Sequence, residues 1–222
     1  MRDFDWIYQH ALNRKGGVAA LEALLPVPRD AEELRLLKDN YFLSSMSWRI
    51  FCAGLNRRVV DAKWQAFEAT FWGFDPQKLV LMSDEMLEKT LQDRRLIRHW
   101  GKIKSIRSNA SMVLQLGEAT GGFGNFIADW PSTQIIELWQ LLAKQGAHLG
   151  GNSAAYFLRI VGKDTILLSN DVIAALKAQK IIDKKPTSKA DLKAVQEAFN
   201  GWQEQSQRPL CQISRLLSFC AN

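Results

Sequence analysis

Hydrophobic residues recur at helical spacing along most of the chain. Near the start, Phe4, Ile7, Tyr8 and Ala11 fall on one face of a helix. The same periodicity predicts helices at about residues 3–13, 18–25, 31–41, 42–53, 57–72, 84–93, 99–116, 126–130, 132–145, 153–161, 171–176, 188–202 and 209–220. The best candidate for a strand is the four-residue run 165–168, which is too short to build a sheet. The pattern therefore predicts an all-α fold.

Polar residues mark where several of these helices begin and end. Asp30 with Glu33 forms the spacing of a capping box, and Ser83 precedes an acidic first turn. Pro26 and Gly73 end the helices before them. No long linker separates the helices, so we expect a single domain spanning residues 1–222.

The composition allows a substantial core and favours a polyanionic partner. Of the 222 residues, 47% are hydrophobic, and the net charge of +6 gives a pI of about 9.3. A basic balance is typical of nucleic-acid binding but does not establish it. The eight Trp and eleven Phe belong mostly to the core, and a few of them are candidates for a pocket that holds a flat ligand.

The sequence gives little indication of a metalloprotein, a membrane protein or a secreted protein. The cysteines and histidines are Cys52, Cys211, Cys220, His10, His99 and His148. They form no CxxC or HxxxH pair, so no zinc site is recognisable, and unpaired cysteines fit a reducing cytoplasm. No apolar run reaches 18 residues, and the first residues lack the apolar segment of a signal peptide.

The stretch from Leu149 to Leu176 carries the clearest candidate chemistry. Its turn consists of Leu149, Gly150, Gly151 and Asn152, and Ser153 begins the next helix. Glycines permit positive φ and close approach of another backbone, and the N–H groups of a helix N-terminus attract phosphate. Carbonyls of the turn also suit a loosely held monovalent cation. The alternative is a plain corner between two helices.

Asp171 begins the second apolar helix of this stretch. An Asp there is commonly a cap, which is the simpler interpretation. It also stays ionised beside the helix dipole, so it is suited to stabilising a positive charge or orienting a water molecule.

The Gly turn, the helix after it and Asp171 together resemble the helix-hairpin-helix DNA glycosylase superfamily. There the hairpin grips the DNA backbone, and a downstream Asp sits at the mouth of a base pocket. A more specific resemblance, to the bacterial 3-methyladenine DNA glycosylase I family, lies upstream. The segments that carry it are Ala53-Gly54-Leu55, Phe71-Trp72-Gly73-Phe74-Asp75-Pro76, Ile97-Arg98-His99-Trp100-Gly101-Lys102-Ile103 and Asn109-Ala110.

The chain departs from this family at several positions. The family's pocket Glu falls on Arg49, and its pocket Trp falls on Arg57. Where well-known members bind zinc with Cys and His, this chain has Phe4, Val172 and Leu176. The comparison therefore implies a divergent branch that lacks the zinc site.

The resemblance implies two helical lobes with a cleft between them. It places one lobe at about residues 42–145, the hairpin and Asp region at 146–176, and the two termini together. The implied partner is double-stranded DNA with an alkylated base, and the implied protein is a monomer without a cofactor.

The implied activity is monofunctional hydrolysis of the N-glycosidic bond of an alkylated purine such as 3-methyladenine, after base flipping. Candidate aromatic walls of the base pocket are Trp6, Tyr8, Phe42, Trp48 and Phe51. Asp171 is the candidate catalytic residue.

Leu55 is a candidate wedge, with an ordinary core Leu as the alternative, and Arg49, Arg57 and Arg58 are candidate DNA contacts. The Arg98, His99 and Lys102 signature is interpreted as structural, with His99 in the core. The alternative function is a non-catalytic protein that binds damaged or structured DNA.

Overall fold

The computed structural model describes residues 1–221, and the regular secondary structure of this part of the chain is entirely helical, with no strand. In chain order the helices are α1 (Phe4–Lys15), α2 (Val18–Glu22), α3 (Ala31–Arg35), α4 (Asp39–Cys52), α5 (Arg57–Thr70), α6 (Pro76–Leu79), α7 (Asp84–Thr90), α8 (Trp100–Glu118), α9 (Phe123–Asp129), α10 (Ile135–Gln145), α11 (Ser153–Val161), α12 (Asn170–Ala178), α13 (Lys189–Ser206) and α14 (Leu210–Ser218). Short 3₁₀ turns span Trp72–Phe74 and Ser132–Gln134. The all-α prediction is confirmed.

The chain divides into two compact units. Unit 1 combines Met1–Arg29, Pro131–Leu138 and the chain from Asp164 onward. Unit 2 consists of Asp30–Trp130 and Trp139–Lys163. The expected boundaries differ from this division, because the region 146–176 is split: the hairpin belongs to unit 2 and Asp171 to unit 1.

Unit 2 is built around α4 and α8. Helix α8 buries Ile103, Ile106, Ala110 and Val113, whose spacing places them on one face. Helix α4 packs against α8 and α11 and is buried on more than one face. At the end of α8, a Cβ on Gly117 would lie 2.6 Å from the backbone nitrogen of Phe123, so glycine allows α9 to begin close by.

Unit 1 packs α14 against α1, α12 and α13. The carboxylate of Asp164 accepts hydrogen bonds from the backbone N–H groups of Leu210 (2.9 Å) and Cys211 (2.8 Å), at the N-terminus of α14. The Oγ of Ser214 bonds both the N–H and the carbonyl of Leu167, at 3.0 Å each. These bonds pair backbone groups of the extended segment around Leu167, which has no neighbouring strand to supply hydrogen-bond partners.

Most predicted helix ends agree with the structure. The capping box of Asp30 and Glu33 is present, and the hydroxyl of Ser83 accepts from the N–H of Met86. The largest difference lies at α3, which ends at Arg35 although the predicted helix continues to about residue 41. Helix α9 begins at Phe123, three residues before its predicted start. None of the helices in the described range is long and apolar enough to cross a membrane.

Candidate functional site

The hairpin turn has the backbone that its glycines predict. Gly151 has a φ of 60°, and a Cβ on Gly150 would meet nothing within 4 Å, so Gly150 is open to another molecule. Leu149 is fully buried beneath the turn. A Cβ on Gly146 would lie 2.6 Å from Cδ1 of Leu149 and 2.9 Å from Sδ of Met112, so that glycine is required by close packing.

The N-terminus of α11 after this turn has no side-chain cap. The N–H of Ser153 donates to the carbonyl of Gly150 at 3.2 Å. Within residues 1–221 the N–H groups of Ala154 and Ala155 have no acceptor. Free N–H groups and the helix dipole make this end electropositive, which suits a phosphate oxygen.

A buried amide holds the chain that enters the hairpin. Asn109 on α8 is fully buried, and its side chain accepts from the N–H of Ala147 (2.7 Å) and donates to the carbonyl of Ala147 (3.1 Å). The next residue, His148, has a φ of 60°, and its ring lies against Gly101, where a Cβ would be 3.5 Å from Nε2. The turn is therefore positioned by rigid packing.

Asp171 is not the cap of its helix. The hydroxyl of Ser169 accepts from the N–H of Val172 at 3.2 Å and fills that role for α12. Asp171 is exposed, and in the described part of the chain its carboxylate has no hydrogen-bond or ion-pair partner. The capping interpretation is therefore wrong, and the carboxylate is available for chemistry.

The surroundings of Asp171 are basic. It lies in a depression of about 360 Å³ that is also lined by Arg14, Lys15, Arg215 and Phe219. These three cations were not predicted as site residues, because Lys and Arg commonly end helices for dipole reasons alone. The fold brings the ends of α1 and α14 to the start of α12.

Two of the candidate pocket aromatics belong to the core. Phe42 and Phe51 have no exposed surface, and Phe51 packs 4.6 Å from the Phe67 ring. A flipped base has no access to a fully enclosed ring, so the pocket prediction for these two residues is wrong.

The other three aromatic candidates are partly exposed. Trp6 stacks on His10 at 4.8 Å, with the Arg2 guanidinium 5.4 Å from its ring centroid. The Tyr8 hydroxyl donates to Glu22 at 2.9 Å, a bond that gives Tyr8 a structural role. Trp48 is partly buried and remains a candidate wall.

The turn between α4 and α5 carries an exposed apolar side chain two residues before Arg57. Leu55 is 42% exposed, which contradicts the core alternative, and Gly54 before it has a φ of 81°. Arg57 contacts the Trp48 ring at 5.0 Å and pairs with Asp61 at 3.4 Å. An exposed Leu in a turn is suited to entering a base stack.

Arg49 sits at the start of the last turn of α4, partly buried. Its guanidinium carbon lies 4.6 Å from the centroid of the Tyr156 ring on α11, and its Nε is buried without a hydrogen-bond partner. No carboxylate pairs with it among the described residues. Arg49 therefore brings an uncompensated positive charge close to the hairpin helix.

The Arg98, His99 and Lys102 signature has a structural role at two of its three positions. The Nζ of Lys102 donates to the carbonyl of Ala53 at 2.6 Å, and burial lowers the pKa of this lysine. The Nδ1 of His99 accepts from the N–H of Lys102 at 3.3 Å and caps α8. His99 is exposed, so its expected core location is wrong.

The positions that would hold a zinc ion contain hydrocarbon. Phe4, Val172 and Leu176 are at most 6% exposed and carry no donor atom. Across residues 1–221 there is no group of three or more His, Cys, Asp or Glu that could hold a metal ion. These residues do not fit zinc.

Comparisons with known proteins agree with the fold and the motifs. The model of the methyladenine glycosylase family matches residues 35–149. Over 75 residues, 34% of this chain, it is 39% identical to DNA-3-methyladenine glycosylase 1 of Escherichia coli K12, and the match spans only 40% of that relative's length.

Two solved structures share the architecture. 3-Methyladenine DNA glycosylase I from Staphylococcus aureus is 19% identical, with a TM-score of 0.51, covering 68% of this chain and 91% of that one. Methanocaldococcus jannaschii 8-oxoguanine glycosylase/lyase, solved in complex with DNA, is 12% identical, with a TM-score of 0.52, covering 96% of each chain. These similarities show the helix-hairpin-helix DNA glycosylase fold.

Proposed function

The chain belongs to the methyladenine glycosylase family, and from this membership we propose that it is a monofunctional DNA glycosylase. It hydrolyses the N-glycosidic bond of an alkylated purine such as 3-methyladenine and leaves an abasic site. The observation that carries the proposal is the free carboxylate of Asp171, relieved of capping by Ser169.

Backbone binding is assigned to the hairpin residues Leu149, Gly150, Gly151, Asn152 and Ser153. The uncapped N-terminus of α11 and the open space at Gly150 support this role. A monovalent cation held by turn carbonyls would share the phosphate. Binding of this cation is tested by measuring DNA affinity in potassium chloride and in the chloride of a bulky organic cation at equal ionic strength. Affinity should be higher in potassium.

The reaction requires stabilisation of a positive charge on the sugar. A base inside a duplex is unreachable, so the damaged nucleotide is flipped out before cleavage. N3 alkylation gives the purine a positive charge, which makes it a good leaving group without strong acid catalysis. Asp171 then stabilises the oxocarbenium-like charge that develops on the sugar, or accepts a proton from the attacking water.

A lyase step is not part of the proposal. Helix α11 contains no lysine, and the first lysine after it, Lys163, is 6% exposed. Its Nζ donates to the carbonyls of Ala128 (3.1 Å) and Trp130 (2.6 Å). A buried, hydrogen-bonded amine is not available to form a Schiff base. We further propose a cytoplasmic monomer acting on double-stranded DNA.

Base release from alkylated DNA tests the assignment of Asp171. Asp171→Asn should abolish release of the modified purine while DNA affinity is retained, and Asp183→Asn, at an exposed acid of the same unit, should behave like wild type. Full activity of Asp171→Asn would remove this residue from the mechanism.

The second candidate is a non-catalytic protein that binds damaged DNA. Arg49 and Arg57 favour it, because they stand where the family has its pocket Glu and Trp. Chromatography of bases released from a mixed alkylated duplex separates the two functions. Release of any purine supports the enzyme, whereas tight binding without release supports the binding protein.

A further inference from the structure

A cluster of cations in unit 1 surrounds the candidate catalytic carboxylate. We name it the basic depression and define it by Arg14, Lys15, Asp171, Arg215 and Phe219. Three of these residues are cationic and one is anionic, so the surface has an excess of positive charge.

A buried ring holds two of these cations in place. Phe219 is 9% exposed, and its ring centroid lies 4.3 Å from Nζ of Lys15 and 4.4 Å from the guanidinium carbon of Arg215. Cations bind the face of an aromatic ring, so both side chains are held close to this ring. The side chain of Arg14 donates to the carbonyls of Phe219 (3.1 Å) and Ala221, which fixes the chain after α14.

Two cations of the depression, Lys15 and Arg215, have no compensating carboxylate among residues 1–221. Within the described residues, neither Lys15 nor Arg215 has a carboxylate within 4.0 Å. Asp171 lines the same depression and pairs with neither. Two cations held on one ring repel each other unless an anion lies beside them, so the arrangement is suited to an anionic ligand.

We propose that the basic depression binds a backbone phosphate of DNA next to the nucleotide on which Asp171 acts. This inference rests on the proposed function, which makes DNA the ligand. Lys15 and Arg215 contact the phosphate, and Phe219 positions them. The cations also offset the repulsion between Asp171 and the phosphate, so that a carboxylate can work beside a polyanion. The depression is open to the surface, which suits a phosphate that belongs to a polymer.

Salt-dependent DNA binding tests the proposal. The experiment uses the full chain and fluorescence anisotropy with a labelled duplex carrying an abasic-site analogue, from low to high potassium chloride. Lys15→Gln and Arg215→Gln should each weaken binding roughly 3- to 10-fold and reduce the slope of log affinity against log salt by about 1. Lys193→Gln is the control, because Lys193 is an exposed cation of the same unit paired with Glu197 at 3.7 Å.

A charge-neutral variant separates local positioning from overall charge. Phe219→Leu keeps every cation but removes the ring, and it should weaken DNA binding in a protein whose thermal unfolding shows it to be folded. Equal effects of Lys193→Gln and Lys15→Gln would indicate general charge only and would overturn the proposal. The proposal would also be overturned if Lys15→Gln and Arg215→Gln both bound DNA with wild-type affinity and wild-type salt dependence.

The outcomes also distinguish this proposal from the proposed function. If the wild-type protein releases no purine but the Lys15 and Arg215 variants bind DNA more weakly, the phosphate site is supported and the glycosylase activity is refuted. If the wild-type protein releases purine and both variants bind DNA as wild type does, the glycosylase activity is supported and the phosphate site is refuted. Competition by inorganic phosphate without any effect of the variants on DNA would assign the depression to free phosphate and overturn the DNA contact.

Discussion

The guanidinium of Arg49 stacks on the ring of Tyr156, 4.6 Å from its centroid. Arg49 is on α4 and Tyr156 is on the helix that begins at the hairpin turn, so the pair connects the two helices. An arginine keeps its charge when it is partly buried, and its planar head fits an aromatic face better than a lysine does.

The first prediction concerns this pair. Tyr156→Leu should lower the free energy of unfolding by about 1 kcal/mol, because it removes the ring that accepts the cation. Tyr156→Phe keeps the ring and should unfold like wild type in urea. DNA affinity should fall with Tyr156→Leu alone, since the freed Arg49 no longer buttresses α11. Equal stability of the two variants would show that the stacking contributes nothing.

The second prediction compares two glycines of the hairpin region. Gly146→Ala should destabilise the protein by about 1–3 kcal/mol, because its Cβ would collide with Leu149 and Met112. Gly150→Ala meets nothing and should leave stability unchanged or raise it by up to about 1 kcal/mol. It should nevertheless weaken DNA binding about tenfold by keeping the phosphate from the backbone. Urea unfolding and anisotropy measure both quantities, and unaltered affinity of Gly150→Ala would argue against the hairpin contact.

The third prediction concerns Leu55 as a wedge. Leu55→Ala should lower the free energy of unfolding by no more than about 1 kcal/mol, because Leu55 is 42% exposed and lies outside the core. Single-turnover base release from a fully paired duplex should slow roughly tenfold, since the gap left by the flipped base is no longer filled. Release from a duplex in which the target base is already unstacked should change less.

Leu81 provides the matched control for that experiment. It is 80% exposed in the same unit and carries no proposed role. Leu81→Ala should release bases at the wild-type rate from both substrates, and an equal slowing in Leu81→Ala and Leu55→Ala would exclude a specific wedge.

The fourth prediction is a pH dependence in unit 1. The hydrogen bonds from Arg208 hold the pKa of Glu22 below its ordinary value of 4.5. A lowered folded-state pKa stabilises the protein above pH 4.5, and this stabilisation is lost as the pH falls through the lowered pKa. The side chain is 36% exposed, so solvent screening limits the effect to under about 1 kcal/mol.

Urea unfolding at two pH values measures this effect. Glu22→Gln should be less stable than wild type at pH 7, and the difference should shrink at pH 3. Glu68→Gln is the matched control, because it makes the same substitution at an exposed acid of α5 that is not paired with Arg208. A difference for Glu22→Gln that is the same at both pH values would refute the linkage.

The sequence predicted the all-α class, most helix boundaries and the family, but it misplaced Phe42 and Phe51. Helix α4 buries residues on more than one face, so its hydrophobic pattern does not distinguish a core ring from a pocket ring. Tertiary packing decides whether a ring lies in the core or in a pocket, and the local spacing of residues does not contain that information.

Asp171 shows the opposite case. Local rules favour Asp at a helix start as a cap, yet Ser169 lies two residues earlier and takes that position. The cations beside Asp171 come from α1 and α14, far away in sequence, so no local pattern links Lys15 to Arg215.

The discontinuous composition of unit 1 has a consequence for how the chain folds as it is synthesised. Most of unit 2 is one continuous segment, Asp30–Trp130, so its contacts form between residues that emerge from the ribosome close together in time. Helix α1 emerges well before α14, the helix against which it packs. We therefore expect unit 2 to become resistant to protease early in translation, while α1 stays cleavable until α14 has been synthesised.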